Sequence, residues 1–237
     1  MFPLWLDATA KKSNLRRLMA LGERLGRDVA ADEFLAYFAG VAGHAGYVRR
    51  FESHLAAPGV RMPVTANAEL FDEATRLGRR HIGLHTFGER SIDSISGRIV
   101  DTPRLLKGRR PQVPKGGGIP TTPEGMPNSL AFDAEKQRRL VGSGFIEPVP
   151  AAAWNYEVGG KQVLVQWFNS RKRERDRPQI GDRRKPSPLG DIQPDHWLAE
   201  YTSELLNVLN VLGLLVDLEP QAADLLCGST RPCASCR

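Results

Sequence analysis

The densest group of chemically competent side chains lies between Arg171 and Lys185, where eight basic and three acidic residues give a local charge of +5. A guanidinium group presents a planar fork of N–H donors that matches phosphate oxygens and the O6/N7 edge of guanine. The segment is therefore predicted to bind a polyanion through its phosphates. The candidate phosphate contacts are Arg171, Lys172, Arg173, Arg175, Arg183, Arg184 and Lys185.

Two amide side chains precede this basic segment. Gln166 and Asn169 each carry a donor and an acceptor, the combination that pairs with adenine in the major groove. They are the candidates for reading base edges. The alternative for the whole region is a flexible charged loop without a partner, because charge runs are often only solvated.

The residue patterns of common catalytic sites do not occur in the sequence. Gly116-Gly117-Gly118 lies in a proline-rich segment and lacks the Lys-Ser/Thr ending of a phosphate-binding loop. Neither a Gly-x-Ser-x-Gly elbow nor the Asn/Asp-Pro-Pro-aromatic tetrapeptide of amino-methyltransferases is present. We therefore expect no catalytic residue and no cofactor.

His81-Ile-Gly-Leu-His85 is the best enzymatic candidate, since two imidazoles four residues apart on a helix can bind zinc. The glutamate that would act as general base between them is missing. His81 also falls on an apolar stripe, which favours a buried histidine. A metal-dependent hydrolase is therefore the least favoured alternative, and no metal site is expected.

The elements around the basic segment are predicted to be strands. Val158-Gly159-Gly160-Lys161 indicates a two-residue hairpin turn, because both glycines accept a positive φ. After it, Val163, Val165 and Trp167 alternate with polar and apolar neighbours as in a strand. Together with shorter strand signals from Ser129, they predict a small antiparallel sheet.

Apolar residues recur at intervals of three and four from Asn14 to about His85, which predicts helices. One buried stripe is predicted at Phe34, Leu35, Phe38 and Val41. Another helix is predicted to begin at Thr65 as N-cap and to carry Leu70, Ala74, Leu77, His81 and Leu84 on one face.

A closing helix is predicted from about Pro194 to Leu218, ended by Pro220. Between the helical and strand-like parts, residues 101–128 are rich in Pro, Gly and basic residues and predict no regular element. They form either a disordered linker or an ordered loop. The fold class is therefore α+β, with N-terminal helices, a central small antiparallel β-region with a long Pro/Gly-rich loop, and a C-terminal helix.

Composition limits the cellular context. The chain has 237 residues and a formal net charge of +6, which favours a polyanionic partner. No uninterrupted apolar run reaches the roughly 20 residues of a membrane span, and the N-terminus lacks the order of a secretory signal. We expect a cytoplasmic protein without a membrane partner. The three cysteines, at 227, 233 and 236, are expected to lie in a frayed tail.

Several short segments carry a family resemblance when they are taken together and in order. They are Ala36-Tyr-Phe-Ala-Gly-Val with His44-Ala-Gly-Tyr-Val-Arg-Arg-Phe51, Val60-Arg-Met-Pro-Val-Thr65 with Leu70-Phe71, Leu77-Gly78 and Leu84-His85-Thr86, Trp154-Asn-Tyr-Glu-Val-Gly-Gly-Lys161 with Trp167-Phe168, and Thr202-Ser-Glu-Leu-Leu206. This set resembles the C-terminal specificity region of type ISP restriction-modification enzymes and related adenine-specific DNA methyltransferases. The resemblance extends from about Phe2 to Leu226.

In that family, one polypeptide carries a nuclease, a helicase-like ATPase, an amino-methyltransferase and, last, a target recognition domain. The resemblance implies that this chain is the recognition part alone: it binds double-stranded DNA sequence-specifically and is not an enzyme by itself. Its domain organisation is predicted as a helical part (1–100), a basic Pro/Gly-rich loop (101–128) and β-hairpins plus closing helix (129–226), integrated as one recognition domain over 2–226, with a tail (227–237).

Compared with the family, the sequence begins at Met1 where the methyltransferase would have ended. The chain is then expected to be either a split subunit that joins a separately encoded methyltransferase or helicase subunit, or a truncated remnant. A rival function is a protein-interaction subunit whose apolar helices, especially Leu205 to Val216, dock a methyltransferase or nuclease partner while DNA is held elsewhere.

Overall fold

The computed structural model describes residues 15–55, 62–87, 103–173 and 194–229. The chain divides into two compact units, one formed by Met1–Thr102 with Asp217–Arg237 and the other by Pro103–Val216. The predicted α+β class is confirmed by helices, small antiparallel sheets and a C-terminal helix. The integrated recognition domain over residues 2–226 stays a prediction.

The described residues 15–55 and 62–87 of the first unit form four helices, as the apolar periodicity predicted. They are α1 (Leu15–Leu25), α2 (Ala31–Ala42), α3 (Ala45–Leu55) and α4 (Ala68–His85). Helices α2 and α4 pack backbone to backbone, because a Cβ atom at Gly78 would overlap the carbonyl of Ala36, and one at Gly40 would overlap that of Ala74.

This close approach changes the predicted buried stripe of α2. The buried face runs through Ala36, Tyr37, Gly40 and Val41, whereas Leu35 is exposed. The reason is that small residues, rather than the largest apolar ones, allow two helix backbones to touch. Of the predicted stripe, only Val41 is fully buried.

The N-terminus of α4 lies two residues later than predicted. The side chain of Asn67, not that of Thr65, accepts the capping hydrogen bond, from the backbone N–H of Leu70 at 3.1 Å. Thr65 instead accepts from the N–H of Asn67 and donates its own N–H to the hydroxyl of Tyr37. These bonds fix the approach to α4.

The second unit contains a three-stranded antiparallel sheet in the order β1 (Leu130–Asp133), β2 (Arg138–Val141), β3 (Gly144–Ile146). The Pro/Gly-rich loop covers the other edge of β3: Gln112 and Glu147 exchange two backbone hydrogen bonds of 3.0 Å, and the N–H of Phe145 donates to the carbonyl of Gly117 at 2.9 Å. Residues 103–128 are therefore an ordered loop that satisfies a sheet edge. The prediction that they hold no regular element is wrong for one short 3-10 helix, Lys107–Arg109.

After the sheet come α5 (Ala151–Trp154), β4 (Glu157–Val158), β5 (Lys161–Gln162) and α6 (Val163–Asn169). The predicted hairpin turn is confirmed, with φ of +60° at Gly159 and +73° at Gly160. The predicted strand beyond it is wrong, because residues 163–169 are helical. Leu164 and Phe168, four residues apart, are the two buried positions of α6, which is a helical period.

The last helix, α7 (Ala199–Ser229), continues through Pro220, which was predicted to end it. Its residues 227–229 also lie in what was predicted as the tail. Over Ala199–Leu226 the helix is long and apolar enough to cross a membrane, a test that core helices also pass. Leu205, Leu209 and Leu212 are at most 3% exposed, so this face of the helix is buried within the chain.

Candidate nucleic-acid interface

Helix α6 holds the start of the basic segment. The backbone N–H groups of Arg171 and Lys172 both donate to the carbonyl of Phe168, at 2.8 and 2.9 Å, and close the helix. The N–H of Arg173 donates to the carbonyl of Pro127 at 2.9 Å. The first three predicted phosphate contacts therefore begin on a fixed backbone within the second unit.

An aromatic cluster fixes α6 against the beginning of α7. The rings of Trp167 and Phe168 lie 6.1 and 6.2 Å from that of Trp197. Trp197 is fully buried, and its indole N–H donates to the hydroxyl of Thr202 at 2.9 Å. Buried aromatic rings with satisfied polar atoms make a rigid contact, so α6 is a firm base for the residues that follow it.

Arg171 is engaged in contacts within its own unit. Its Nη2 donates to Oε2 of Glu204 at 2.9 Å, and its Nη1 donates to the carbonyl of Trp167 at 3.1 Å. The guanidinium also lies over the rings of Trp167 and Tyr201, at 4.4 and 5.5 Å from their centroids. Arg171 therefore connects the end of α6 to α7. Its contact with phosphate stays a prediction.

Arg173 is the exposed cation of the three, and Lys172 is half-buried. The Nη1 of Arg173 lies 3.4 Å from the carbonyl of Glu124, a long and weak hydrogen bond. Its fixed backbone and loosely held guanidinium suit a contact with an external anion.

The other predicted contacts divide into two groups. Gln166 is exposed on α6 and Asn169 is half-buried three residues later, so they lie on neighbouring positions of one helix face. Their base-reading role stays a prediction. The remaining candidates lie outside the described residues: Arg175, Arg183, Arg184 and Lys185.

The Pro/Gly-rich loop contributes a second set of exposed cations. It is anchored where the N–H of Leu105 donates to Oδ1 of Asn210 in α7, at 3.0 Å, and Leu105 itself is 3% exposed. Arg110 Nε donates to the carbonyl of Leu105 at 3.3 Å. The exposed basic residues of the loop are Arg104, Lys107, Arg109, Arg110 and Lys115.

These positions lie within a segment that a known family describes. The model of the type ISP C-terminal specificity domain matches residues 1–208. The chain belongs to this family. The resemblance noted in the sequence is thereby confirmed.

A solved structure shares the fold of this specificity domain. The cryo-EM structure of a DrdV–DNA complex matches with a TM-score of 0.52 and 16% sequence identity, over 94% of this chain and 21% of that one. The specificity domain thus spans about a fifth of the DrdV chain. At this identity the likeness is one of fold. No curated protein matches.

The specificity domain also contains a buried arginine that the sequence reading missed. Arg139 in β2 is fully buried, and its guanidinium carbon lies 3.5 Å from the ring centroid of Trp154. None of its three side-chain nitrogens has a hydrogen-bond partner within the described ranges. Burial lowers the pKa of Arg139 to about 9. Arg139 and Val141 lie two residues apart and therefore share the buried face of β2. This spacing in the sequence could have indicated that Arg139 is buried.

The two histidines of α4 in the specificity domain lie side by side, with ring centroids 4.5 Å apart. Burial, helped by His85 and His44, lowers the pKa of His81 to about 4. Among the residues that the structure describes, no group of three His, Cys, Asp or Glu side chains is placed to hold a metal ion. The hydrolase alternative therefore gains no support from this part of the chain.

Proposed function

We propose that this chain binds duplex DNA and recognises a base sequence in it, as the target recognition part of a restriction-modification enzyme. The observation that carries the proposal is the match of residues 1–208 to the type ISP C-terminal specificity domain. The fold likeness to a DrdV–DNA complex supports it. Such a function places the chain in the cytoplasm, where it has access to DNA.

The geometry of the second unit suits the phosphate part of this function. Lys172 and Arg173 follow a helix that buried aromatic residues hold in place, and the exposed cations of the loop lie on a backbone that is hydrogen-bonded to β3. Phosphate contacts fix the register of a protein on a duplex, and this needs cations on a rigid backbone. Base contacts then supply the specificity.

The rival function, a docking subunit, relied on the apolar side chains between Leu205 and Val216. Leu205, Leu209, Leu212 and Leu215 are at most 3% exposed within the chain's own structure. Because these side chains fill the core, they leave little apolar surface for a partner. A separately encoded methyltransferase or helicase subunit would therefore bind elsewhere, and we retain such a partner only as part of the proposal.

The salt dependence of binding to a fluorescent duplex tests the proposal. If about six phosphates are contacted, the slope of log affinity against log salt is about −5, at roughly −0.9 for each phosphate. The double variant Lys172→Ala/Arg173→Ala should bind every duplex more weakly and reduce the slope by about 2. The chain's failure to bind duplexes even in dilute buffer would overturn the proposed function.

A matched control is available in the first unit. Arg79 and Arg80 are also adjacent and exposed, and the ion pair that Arg79 forms with Asp32 is long, at 3.6 Å. The variant Arg79→Ala/Arg80→Ala removes the same charge from a helix that we do not assign to the interface. It should leave the salt slope unchanged, so a loss equal to that of the first variant would show only a general charge effect.

A further inference from the structure

A polar cleft lies where the Pro/Gly-rich loop meets the turn between β1 and β2. Its volume is about 430 Å³. The residues that line this cleft are Gln112, Glu135, Lys136, Gln137, Glu147 and Pro148. A small-molecule site of this size is mostly apolar. This cleft is lined instead by amide, carboxylate and ammonium groups, which suit a ligand that is recognised through hydrogen bonds along one edge.

The cleft is held rigid on two sides by backbone hydrogen bonds. Gln112 and Glu147 exchange two such bonds of 3.0 Å, and the carbonyl of Gln137 accepts from the N–H of Val149 at 2.7 Å. Arg138 Nε donates to Oε2 of Glu147 at 2.7 Å, and its guanidinium lies over the ring of Phe145. Side chains that project from such a frame start from fixed positions, which precise hydrogen bonding needs.

Gln137 has an unusual backbone for its residue type. Its φ is +47°, a left-handed value that it shares with only one other non-glycine residue, Phe87, in the described ranges. Glycine or asparagine adopts this conformation at lower cost, and a side chain such as glutamine is uncommon there. The stability of the turn alone would therefore favour another residue, which points to a use for the amide.

The two amides of the cleft are open to solvent. Gln112 and Gln137 are both exposed, and their side chains form no hydrogen bond to any part of the chain that the structure describes. A glutamine amide pairs with N6 and N7 of adenine, and a carboxylate such as that of Glu135 accepts from N4 of cytosine. The lining therefore matches the donors and acceptors that base edges present in the major groove.

Basic residues lie near both ends of β2, at one of which the cleft is found. Arg110 and Lys115 are two and three residues from Gln112, within about 10 Å even of fully extended chain. At the other end of the sheet, Arg173 is bonded to Pro127, which contacts Gly142. Strand β2 separates the two ends by roughly 10 Å, close to the major-groove width of about 12 Å.

We propose that Gln112 and Gln137 determine specificity by hydrogen bonding to base edges in the major groove. This inference rests on the proposed function, since it requires that the chain bind duplex DNA. It assigns base reading to the cleft rather than to Gln166 and Asn169 on α6. Phosphate contacts from the loop and from Arg173 would hold the duplex against the cleft.

Selection of bound duplexes from a random pool, with the full chain, tests this assignment. The variants are Gln112→Ala, Gln137→Ala and their double, and Gln166→Ala tests the competing assignment of base reading to α6. We expect the double variant to lose discrimination at one or two base pairs by about 5- to 100-fold, the worth of a bidentate base contact. The salt slope and the melting temperature should be unchanged, because phosphate contacts and packing remain.

Gln137→Gly separates base reading from a structural role of the turn. Glycine relieves the left-handed backbone, so this variant should melt at an equal or higher temperature and still lose sequence preference. An unchanged preference in the double variant, or a change caused by Gln166→Ala alone, would overturn the inference. Both outcomes occur with a wild-type chain that binds duplexes and prefers a sequence, whereas a wild-type chain that does not bind, or binds without any preference, contradicts the proposed function itself.

Discussion

Arg171 and Glu204 join helix α6 to helix α7 through a hydrogen-bonded ion pair of 2.9 Å. The guanidinium is 26% exposed and lies over the rings of Trp167 and Tyr201. An exposed ion pair alone contributes only about 0 to 1 kcal/mol. Arg171 also stacks on two rings and donates a hydrogen bond to the carbonyl of Trp167. Together these contacts hold the end of α6 against α7 and orient the residues that follow.

Replacing Arg171 should therefore affect stability before it affects electrostatics. We expect Arg171→Ala to lower the free energy of unfolding by about 1 to 2 kcal/mol, because a part-buried ion pair and its ring contacts are lost. Duplex affinity should fall only slightly and the salt slope should stay that of the wild type, since Lys172 and Arg173 keep their charges for phosphate contacts. Thermal melting and a salt titration measure the two effects.

Glu204→Gln is the companion variant. It keeps the shape of the side chain and removes the negative charge beside Arg171, which should cost little stability and leave duplex affinity nearly unchanged. If Arg171 contacts a phosphate directly, this variant should instead bind more tightly, and Arg171→Ala should reduce the salt slope by about 1. That pair of results would restore the contact predicted from the sequence.

The close crossing of α2 and α4 gives a prediction about packing. Gly78→Ala would place a methyl group on the carbonyl of Ala36. The helices must then separate, and we expect a loss of about 1 to 3 kcal/mol or more in unfolding free energy. Gly83→Ala is the control in the same helix, because nothing lies within 4 Å of its added Cβ atom. That variant should be stabilised by up to about 1 kcal/mol, as judged by chemical denaturation.

The comparison of these helices shows what periodicity predicts and what it misses. The recurrence of apolar residues correctly indicated helices within Leu15–Leu55 and over Ala68–His85, because it depends on local geometry alone. It placed Leu35 in the core and missed Gly40, since hydrophobicity scores do not recognise that two glycines let helix backbones touch. A contact between α2 and α4 is decided by residues about 40 positions apart.

Helix α6 shows the same limit over a shorter span. The turn at Gly159-Gly160 was predictable, because its positive φ values are a property of glycine. The seven residues of α6 fit both a strand and a helix, and short apolar runs do not distinguish them. Trp197, about 30 residues later, contacts Trp167 and Phe168. The polar cleft could not be predicted from the sequence either, because it brings together Gln112 and Gln137 from separate segments.

The histidines of α4 give a prediction about pH. The pKa of His81 is lowered to about 4 in the folded chain, below the ordinary value of 6.5. Between pH 4 and pH 6.5 the unfolded chain binds more protons at His81 than the folded chain does. The contribution of neutral His81 to stability is therefore fully present above about pH 6.5 and is lost as the pH falls towards 4. We expect a loss of about 1 to 3 kcal/mol between pH 7 and pH 4, since each pKa unit corresponds to about 1.4 kcal/mol.

The groups that face His81 decide how the pH experiment is designed. His85 and His44 both lower its pKa, and both have lowered pKa values of their own because they are partly buried. His81→Gln should therefore reduce the pH dependence of the melting temperature without abolishing it. A variant that melts with the same pH profile as the wild-type chain would show that other groups cause the decline.

The neighbouring arginines Arg138 and Arg139 should respond in opposite directions to the same substitution. Arg138 forms a 2.7 Å ion pair with Glu147, so Arg138→Met removes a good contact and should lower the unfolding free energy by about 1 kcal/mol. Arg139 is fully buried without a hydrogen-bond partner in the described residues, and burial disfavours its charge. Methionine fills a similar volume without the cost of burying a charge. Arg139→Met should therefore leave the unfolding free energy unchanged or raise it by up to about 3 kcal/mol, and the lost attraction between the guanidinium and the Trp154 ring reduces this gain. Denaturant melts of the two variants at pH 7 measure both changes. A large loss for Arg139→Met would show that its contact with the Trp154 ring outweighs the burial of the charge.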